Sequence, residues 1–287
     1  MKNSSSYIFR LALIAAVFML GGLAIQAQNK ADVKEKNKGG FCSDNNSWSS
    51  DNKESFRELR EMNVAAGGVI DADAGRNGGI SVKGENRSDV LVRACVQAWG
   101  ETMDAAKAAV ASVKVSTAGA IRADGPEESN YSVSFEILVP RSTDVRLKAH
   151  NGGISISSVD GNLEFETTNG GVHLDNVSGD VKGRTVNGGV NVALTGNTWR
   201  GNGLDVQTSN GGVHLTMPDN YAANFEAGTV NGGFSSDVAG LSTEKDERGR
   251  SRATRVATSI NGGGAPIRVT TTNGGIHISS NSGTSKN

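Results

Sequence analysis

Residues 166–175 read Glu-Thr-Thr-Asn-Gly-Gly-Val-His-Leu-Asp, and residues 184–193 read Arg-Thr-Val-Asn-Gly-Gly-Val-Asn-Val-Ala. Placed one over the other, they match Asn-Gly-Gly to Asn-Gly-Gly, Thr167 to Thr185, Val172 to Val190 and Leu174 to Val192. Working outward, the tripeptide recurs at Asn77, Asn151, Asn169, Asn187, Asn210, Asn231, Asn261 and Asn273. Self-similarity at a nearly fixed period of about 20 residues marks stacked-repeat architectures.

The residues around the tripeptide fall into columns. Three places after Asn stand Ile80, Ile154, Val172, Val190, Val213, Phe234 and Ile276, and five after it Val82, Ile156, Leu174, Val192, Leu215 and Ile278. Ser155, His173, Asn191, His214 and His277 alternate with them. Period-two alternation is a strand with one buried face. Six places before Asn, Val145, Leu163, Val181, Leu204, Phe225 and Ile267 form a second apolar column, with Thr167, Thr185, Thr208, Thr229, Ser259 and Thr271 two places before it. A second strand therefore leads into each tripeptide.

Asn and Gly accept positive φ with little strain, so the tripeptide suits a sharp corner between two strands. A hairpin would use the same residues, which makes a β-meander the alternative. Columns running in one direction favour an all-β parallel β-solenoid, with Gly161, Gly179 and Gly196 at a second corner and side-chain amides of stacked Asn linked from coil to coil. Residues 89–139 break the repeat. Val90–Ala98 and Tyr131–Val139 read as longer strands, and the Ala-rich run 101–113 as one short helix. Together they read as a capping section over the end of the solenoid.

Lys2 and Arg10, an apolar run over 11–25 and Gln26-Ala27-Gln28 have the layout of a secretory signal peptide spanning 1–27. The run is short for a membrane span, and no span is expected once it is removed. Residues 28–61 read as a flexible polar leader, with a helical turn near Phe56–Met62; 62–281 as the repeat domain; and 282–287 as a disordered tail. Leu241–Arg255, dense in both charges, reads as a solvated loop or, more sharply, a binding loop. Export to an oxidising compartment makes a Cys42–Cys95 disulfide one reading, against a buried free thiol at Cys95 and a reactive one at Cys42.

The landmarks Leu138-Val139-Pro140, Val145 through Ile154 (VRLKAHNGGI), Thr208 through Leu215 (TSNGGVHL) before Met217-Pro218, and Thr271 through Ile276 (TTNGGI) resemble the bacterial "putative adhesin" family of β-strand-repeat domains of unknown function. The resemblance runs from about Val64 to Ser280. It implies an exported β-solenoid-like domain and brings no catalytic residues.

Composition narrows function further. With 38 Gly, only Phe 8, Trp 3 and Tyr 3, and a net charge of -1 without a basic block, the chain lacks the footprint of a nucleic-acid binder. With the coils stacked in chain order, Asn191 separates His173 from His214 and Ser235 separates His214 from His277, too far for a shared zinc. Asp160 and Asp180, beside corner glycines of neighbouring coils, are the one candidate carboxylate pair for glycan cleavage, and ordinary turn chemistry accounts for them. No phosphate loop is present.

The reading is a non-enzymatic protein without cofactor or metal, exported to the periplasm, cell surface or extracellular space. Its partner would be an envelope protein or a glycan, met by an outward face of Ser155, His173, Asn191 and His214. A carbohydrate-active β-helix enzyme and an envelope sensor binding a protein are the alternatives.

Overall fold

The computed structural model describes residues 40–43, 53–126, 130–241 and 254–281. The signal-peptide segment, most of the leader, residues 242–253 of the charged segment and the tail lie outside the described residues. The chain divides into two units, Met1–Ser47 and Trp48–Asn287. In the first, the Ser43 amide donates to the Gly40 carbonyl at 3.1 Å; the second holds the repeats.

The alternating segments on either side of seven of the eight tripeptides are strands, and they go to different sheets. Those before it are β2 (Ile70–Asp73), β8 (Val145–Ala149), β10 (Asp160–Asn169), β12 (Ser178–Asn187), β14 (Gly203–Asn210), β16 (Ala223–Asn231) and β19 (Pro266–Asn273). Those after it are β3 (Ile80–Glu85), β9 (Ile154–Ser157), β11 (Val172–Asp175), β13 (Val190–Ala193), β15 (Val213–Met217), β17 (Phe234–Ser236) and β20 (Ile276–Ser280). The "after" strands build sheet I, which also takes β1 (Glu54–Ala65), β4 (Asp89–Gly100) and β7 (Tyr131–Pro140), in the order β1-β4-β7-β3-β9-β11-β13-β15-β20-β17. The "before" strands build sheet II, with β5 (Lys114–Ser116), β6 (Ile121–Asp124) and β18 (Arg255–Ile260), in the order β18-β16-β19-β14-β12-β10-β8-β2-β6-β5.

Repeat strands pair in parallel and like on like: Val172 lies opposite Ile154 and Val190, and Thr185 opposite Thr167 and Thr208. Ile154, Ile156, Val172, Leu174, Val190, Val192, Val213 and Leu215 are all buried, as are Leu163, Val181, Leu204 and Ile267. Each Leu or Ile taken out of water this way contributes about 1.5–3 kcal/mol.

The order of the strands departs from the chain-order stack expected from the sequence. The strands of the last repeat, β19 and β20, lie between those of β14/β15 and β16/β17. β18 runs antiparallel on the far side of β16, so β18 and β19 flank it. The connection from β18 to β19 is the tripeptide at Asn261, which is therefore a turn within sheet II and joins no strand of sheet I. Asn261, Gly262 and Gly263 have φ of 48°, 92° and 81°, and the Asn261 amide donates to the carbonyls of Asp219 and Tyr221 at 2.9 and 2.8 Å. The sequence alone had grouped Asn261 with the other seven.

Those seven obey a different rule from the positive φ expected of them. Of their glycines, only Gly78 has a positive φ, at 148°. The first glycine of each tripeptide is needed because coils approach backbone to backbone: a Cβ on Gly152, Gly170, Gly188, Gly211, Gly232 or Gly274 would fall on the carbonyl of the neighbouring coil's first glycine. That same carbonyl accepts a hydroxyl from the threonine column, with Thr167, Thr185, Thr208, Thr229 and Thr271 donating to Gly152, Gly170, Gly188, Gly274 and Gly211, each at 2.8 Å. The threonines are buried, and the bond satisfies a hydroxyl that would otherwise be costly to bury.

The asparagines form one continuous ladder. Asn151 donates its amide to Asn77, Asn169 to Asn151, Asn187 to Asn169, Asn210 to Asn187, Asn273 to Asn210 and Asn231 to Asn273, at 2.7–3.1 Å. All six bonds point the same way along the stack.

On the opposite side of each coil, positive φ occurs at Ser158 (57°), Asn176 (50°) and Gly196 (78°), and at Gly179 (103°) inside β12. Gly161 and Gly179 sit inside the following strands, paired with one another, so the second corner belongs to Ser158 and Asn176. Asn176 bonds Ser158 Oγ at 3.4 Å and accepts from Thr195 Oγ1 at 2.6 Å.

Residues 56–62, read from the sequence as leader and a helical turn, belong to β1, which pairs antiparallel with β4 from Glu54–Gly100 to Ala65–Asp89. Its sequence, ESFRELREMNVA, has no clean alternation because no residue in it is fully buried; tertiary pairing makes it a strand. Helix α1 (Met103–Ser112) packs against β1 and β4 through Ala106 and Val110. Thr102 caps its N-terminus by accepting from the Ala105 amide at 3.2 Å. At its other end Arg60 of β1 donates to the Val110 and Val113 carbonyls at 2.9 and 2.5 Å.

Candidate interaction face

The outward residues of sheet I form a row that crosses every strand. In register it runs Glu61, Arg93, Glu136, Ser81, Ser155, His173, Asn191, His214, His277, Ser235. At its β1 end the row is charged and self-paired: Arg93 bridges Glu61 at 3.0 Å and contacts Glu136. From Ser81 onward it is uncharged or imidazole. Ser155, His173, Asn191 and His214, the four residues singled out from the sequence, are brought together on adjacent strands β9, β11, β13 and β15. His173, Asn191 and His214 are exposed and Ser155 is partly covered.

The interchange of the last two repeats changes the row's far end. His277 is the direct neighbour of His214, with ring centroids 5.2 Å apart and planes at 63°, and Ser235 lies beyond, its Oγ 2.9 Å from His277 Nδ1. Chain order had placed Ser235 between the two histidines. The signal that could have exposed the interchange is the Asn261 tripeptide, which has no apolar residue three or five places on: Gly264 and Pro266 stand there.

The outer face of sheet II has the opposite character. One row reads Asp71, Arg146, Glu164, Lys182, Asp205, Arg268, Glu226, with the sign alternating at each strand. Arg146 lies 3.1 Å from Glu164 and 3.5 Å from Asp71, and its pKa is raised further by the hydrogen bond and charge of Glu164, then by the charge of Asp71. Arg184 meets Glu166 at 2.7 Å, and Arg268 and Arg255 meet Glu226 at 2.9 and 2.6 Å. Pairs this exposed to solvent add little to stability, so their main effect is to neutralise the face and favour one register. A shallow depression of about 400 Å³ lies over these rows between Arg146 and Gln207.

Asp160 and Asp180 are not directly opposite one another. Asp160 lies opposite Ser178, and Asp180 opposite Asn162. Each carboxylate faces a base, Arg200 at 3.9 Å and Lys182 at 3.0 Å respectively. Among the described residues no cluster of three or more metal-ligating side chains occurs, no helix is long and apolar enough to cross a membrane, and no cysteine is free.

Two longer links close the stack near the interchange. Trp199 is buried and donates its indole N–H to the Gly179 carbonyl at 3.0 Å. Tyr221 is 1% exposed, and burial pushes its hydroxyl pKa up to about 12 despite the opposing charge of Arg200.

An all-β protein of two parallel-rich sheets is the class that this geometry defines. The chain belongs to the Toastrack DUF4097 family, whose match spans residues 77–279. Among solved structures it is similar to a "putative cell adhesion protein" from Clostridium sporogenes, at 12% identity over 78% of this chain and 100% of the other, with a TM-score of 0.43. A "putative adhesin" from Bacteroides fragilis is also 12% identical, over 78% and 97% of the two chains, with a TM-score of 0.32. No curated protein matches the chain.

Proposed function

We propose that the protein is an exported, non-enzymatic interaction or scaffolding module of the bacterial envelope, and that it meets an envelope protein or glycan through the outward row of sheet I. The observation that carries this reading is the exposed polar, in-register run Ser155, His173, Asn191, His214, set against a sheet II face whose charges largely satisfy one another. The seven stacked tripeptides serve as structural corners, bonded to one another through the ladder and backbone contacts, and binding falls to the strand faces. These four residues offer hydrogen-bonding groups at strand spacing, about 4.8 Å, without a Trp, Tyr, Phe or Arg anchor among them. Single contacts are therefore weak, and useful affinity needs several coils and several copies acting together.

A pull-down from envelope extracts with the 28–287 chain, followed by elution with free glycans, tests this reading. Specific retention of an envelope protein or glycan is the expected result, and turnover of a glycan by the purified chain would overturn it. Export predicts that the native protein begins near Gln28; an intact Met1 on a membrane-extracted chain contradicts cleavage. We further propose that Cys42 pairs with Cys95, so thiol titration of the denatured, non-reduced chain finds no free thiol, whereas two per chain would contradict the pairing.

A further inference from the structure

We infer that His214 and His277 form a surface site for one borderline divalent cation of the zinc or nickel kind, bound by two imidazoles with water in the remaining positions. This goes beyond the interaction reading and does not depend on it. Three observations converge. The two histidines are in-register neighbours on the parallel strands β15 and β20, so both side chains leave the same face of the sheet at neighbouring-strand spacing.

Their ring centroids are 5.2 Å apart. With a metal–nitrogen distance of about 2.1 Å and the ring centre about 1.2 Å behind the nitrogen, two imidazoles on a tetrahedral ion have centres about 5 Å apart. The observed ring separation is close to that of two imidazoles sharing one ion.

The third observation is the partner on His277. Its Nδ1 lies 2.9 Å from Ser235 Oγ. In the tautomer that carries the proton on Nδ1, this nitrogen donates to the hydroxyl and the Nε2 lone pair is left for a metal. Ligating histidines are characteristically fixed in this way by an acceptor on the other nitrogen, and imidazole suits zinc and nickel among the divalent ions. Ser235 is thus a positioning residue for His277.

Because β15 and β20 belong to repeats that are remote in sequence but adjacent in space, a bound ion would clamp the interchanged repeat in place. His173 has Ser155 and Asn191 as its cross-strand neighbours and lacks a second imidazole.

The test uses the full chain, free of any histidine tag, titrated with zinc chloride by calorimetry and melted with and without the ion. One zinc per chain and a melting midpoint raised by about 5 °C at a hundred-fold excess over the dissociation constant are expected. His214→Ala and His277→Ala should each abolish the shift, His173→Ala should leave it intact, and Ser235→Ala should weaken zinc affinity at least several-fold while leaving the zinc-free melt unchanged. Absence of a shift in the unsubstituted chain at millimolar zinc, or a full shift in either His214→Ala or His277→Ala, would overturn the site.

Discussion

The tripeptide Asn187-Gly188-Gly189 and the tripeptide Asn261-Gly262-Gly263 are identical in sequence and opposite in physics. At Gly188 the backbone needs no positive φ, but there is no room for a Cβ because the Gly170 carbonyl occupies its place. At Gly262 a Cβ would meet nothing within 4 Å, but φ is 92°. The first glycine is a consequence of stacking and the second of a turn. A repeated motif therefore marks a repeated contact only where its flanking columns repeat too, and those flanking Asn261 do not.

Substitutions separate the two cases. Gly188→Val should be the most damaging, costing about 3 kcal/mol, since the added atoms meet backbone on a neighbouring coil and neither coil can move alone. Thermal or denaturant melts measure this, and a loss as small as that of an exposed loop substitution would remove the stacking explanation. Thr185→Val keeps the shape but strips the Gly170 carbonyl of its 2.8 Å hydroxyl donor, with an expected cost of about 2 kcal/mol. Gly262→Ala should cost about 1 kcal/mol through left-handed strain alone, and Gly262→Asn less, because Asn tolerates that region; at Gly188 the order of Ala and Asn should not reverse in this way.

Asn187→Ala interrupts the ladder at an exposed position, where about 0.5 kcal/mol is expected. The smallest effect at neutral pH concerns Tyr221, whose carbonyl receives the Asn261 amide. Its hydroxyl pKa is raised from 10.0 to about 12 in the fold, so burial favours the neutral phenol. That contribution is fully present below pH 10 and is lost as pH rises through 12. Stability should therefore fall across this window, and Tyr221→Phe should flatten the fall without changing the melt at pH 7.

The sheet-forming columns were legible because period-two burial and a near-fixed repeat are local properties of the chain. Val172, Leu174, Val190 and Val192 could be placed in the core from alternation alone, and their burial follows from it. β1 was not legible. ESFRELREMNVA carries no burial pattern of its own and becomes a strand by pairing with β4. The interchange of the last repeats was not legible either, since parallel pairing depends on matching columns and the columns of Asn231 and Asn273 are equally good neighbours for Asn210. That ambiguity hid the contact between His214 and His277, while Ser155, His173, Asn191 and His214 lie in the part stacked in chain order and share one register row.

On the proposed reading the repeat is structural and binding belongs to the outward row of sheet I. Joint replacement of Ser155, His173, Asn191 and His214 by Ala, compared with each single replacement, measures it through retention on the native cell surface. The account predicts unchanged melts, small losses for single variants and near-complete loss for the joint variant. A joint variant that folds normally and is retained undiminished would contradict it.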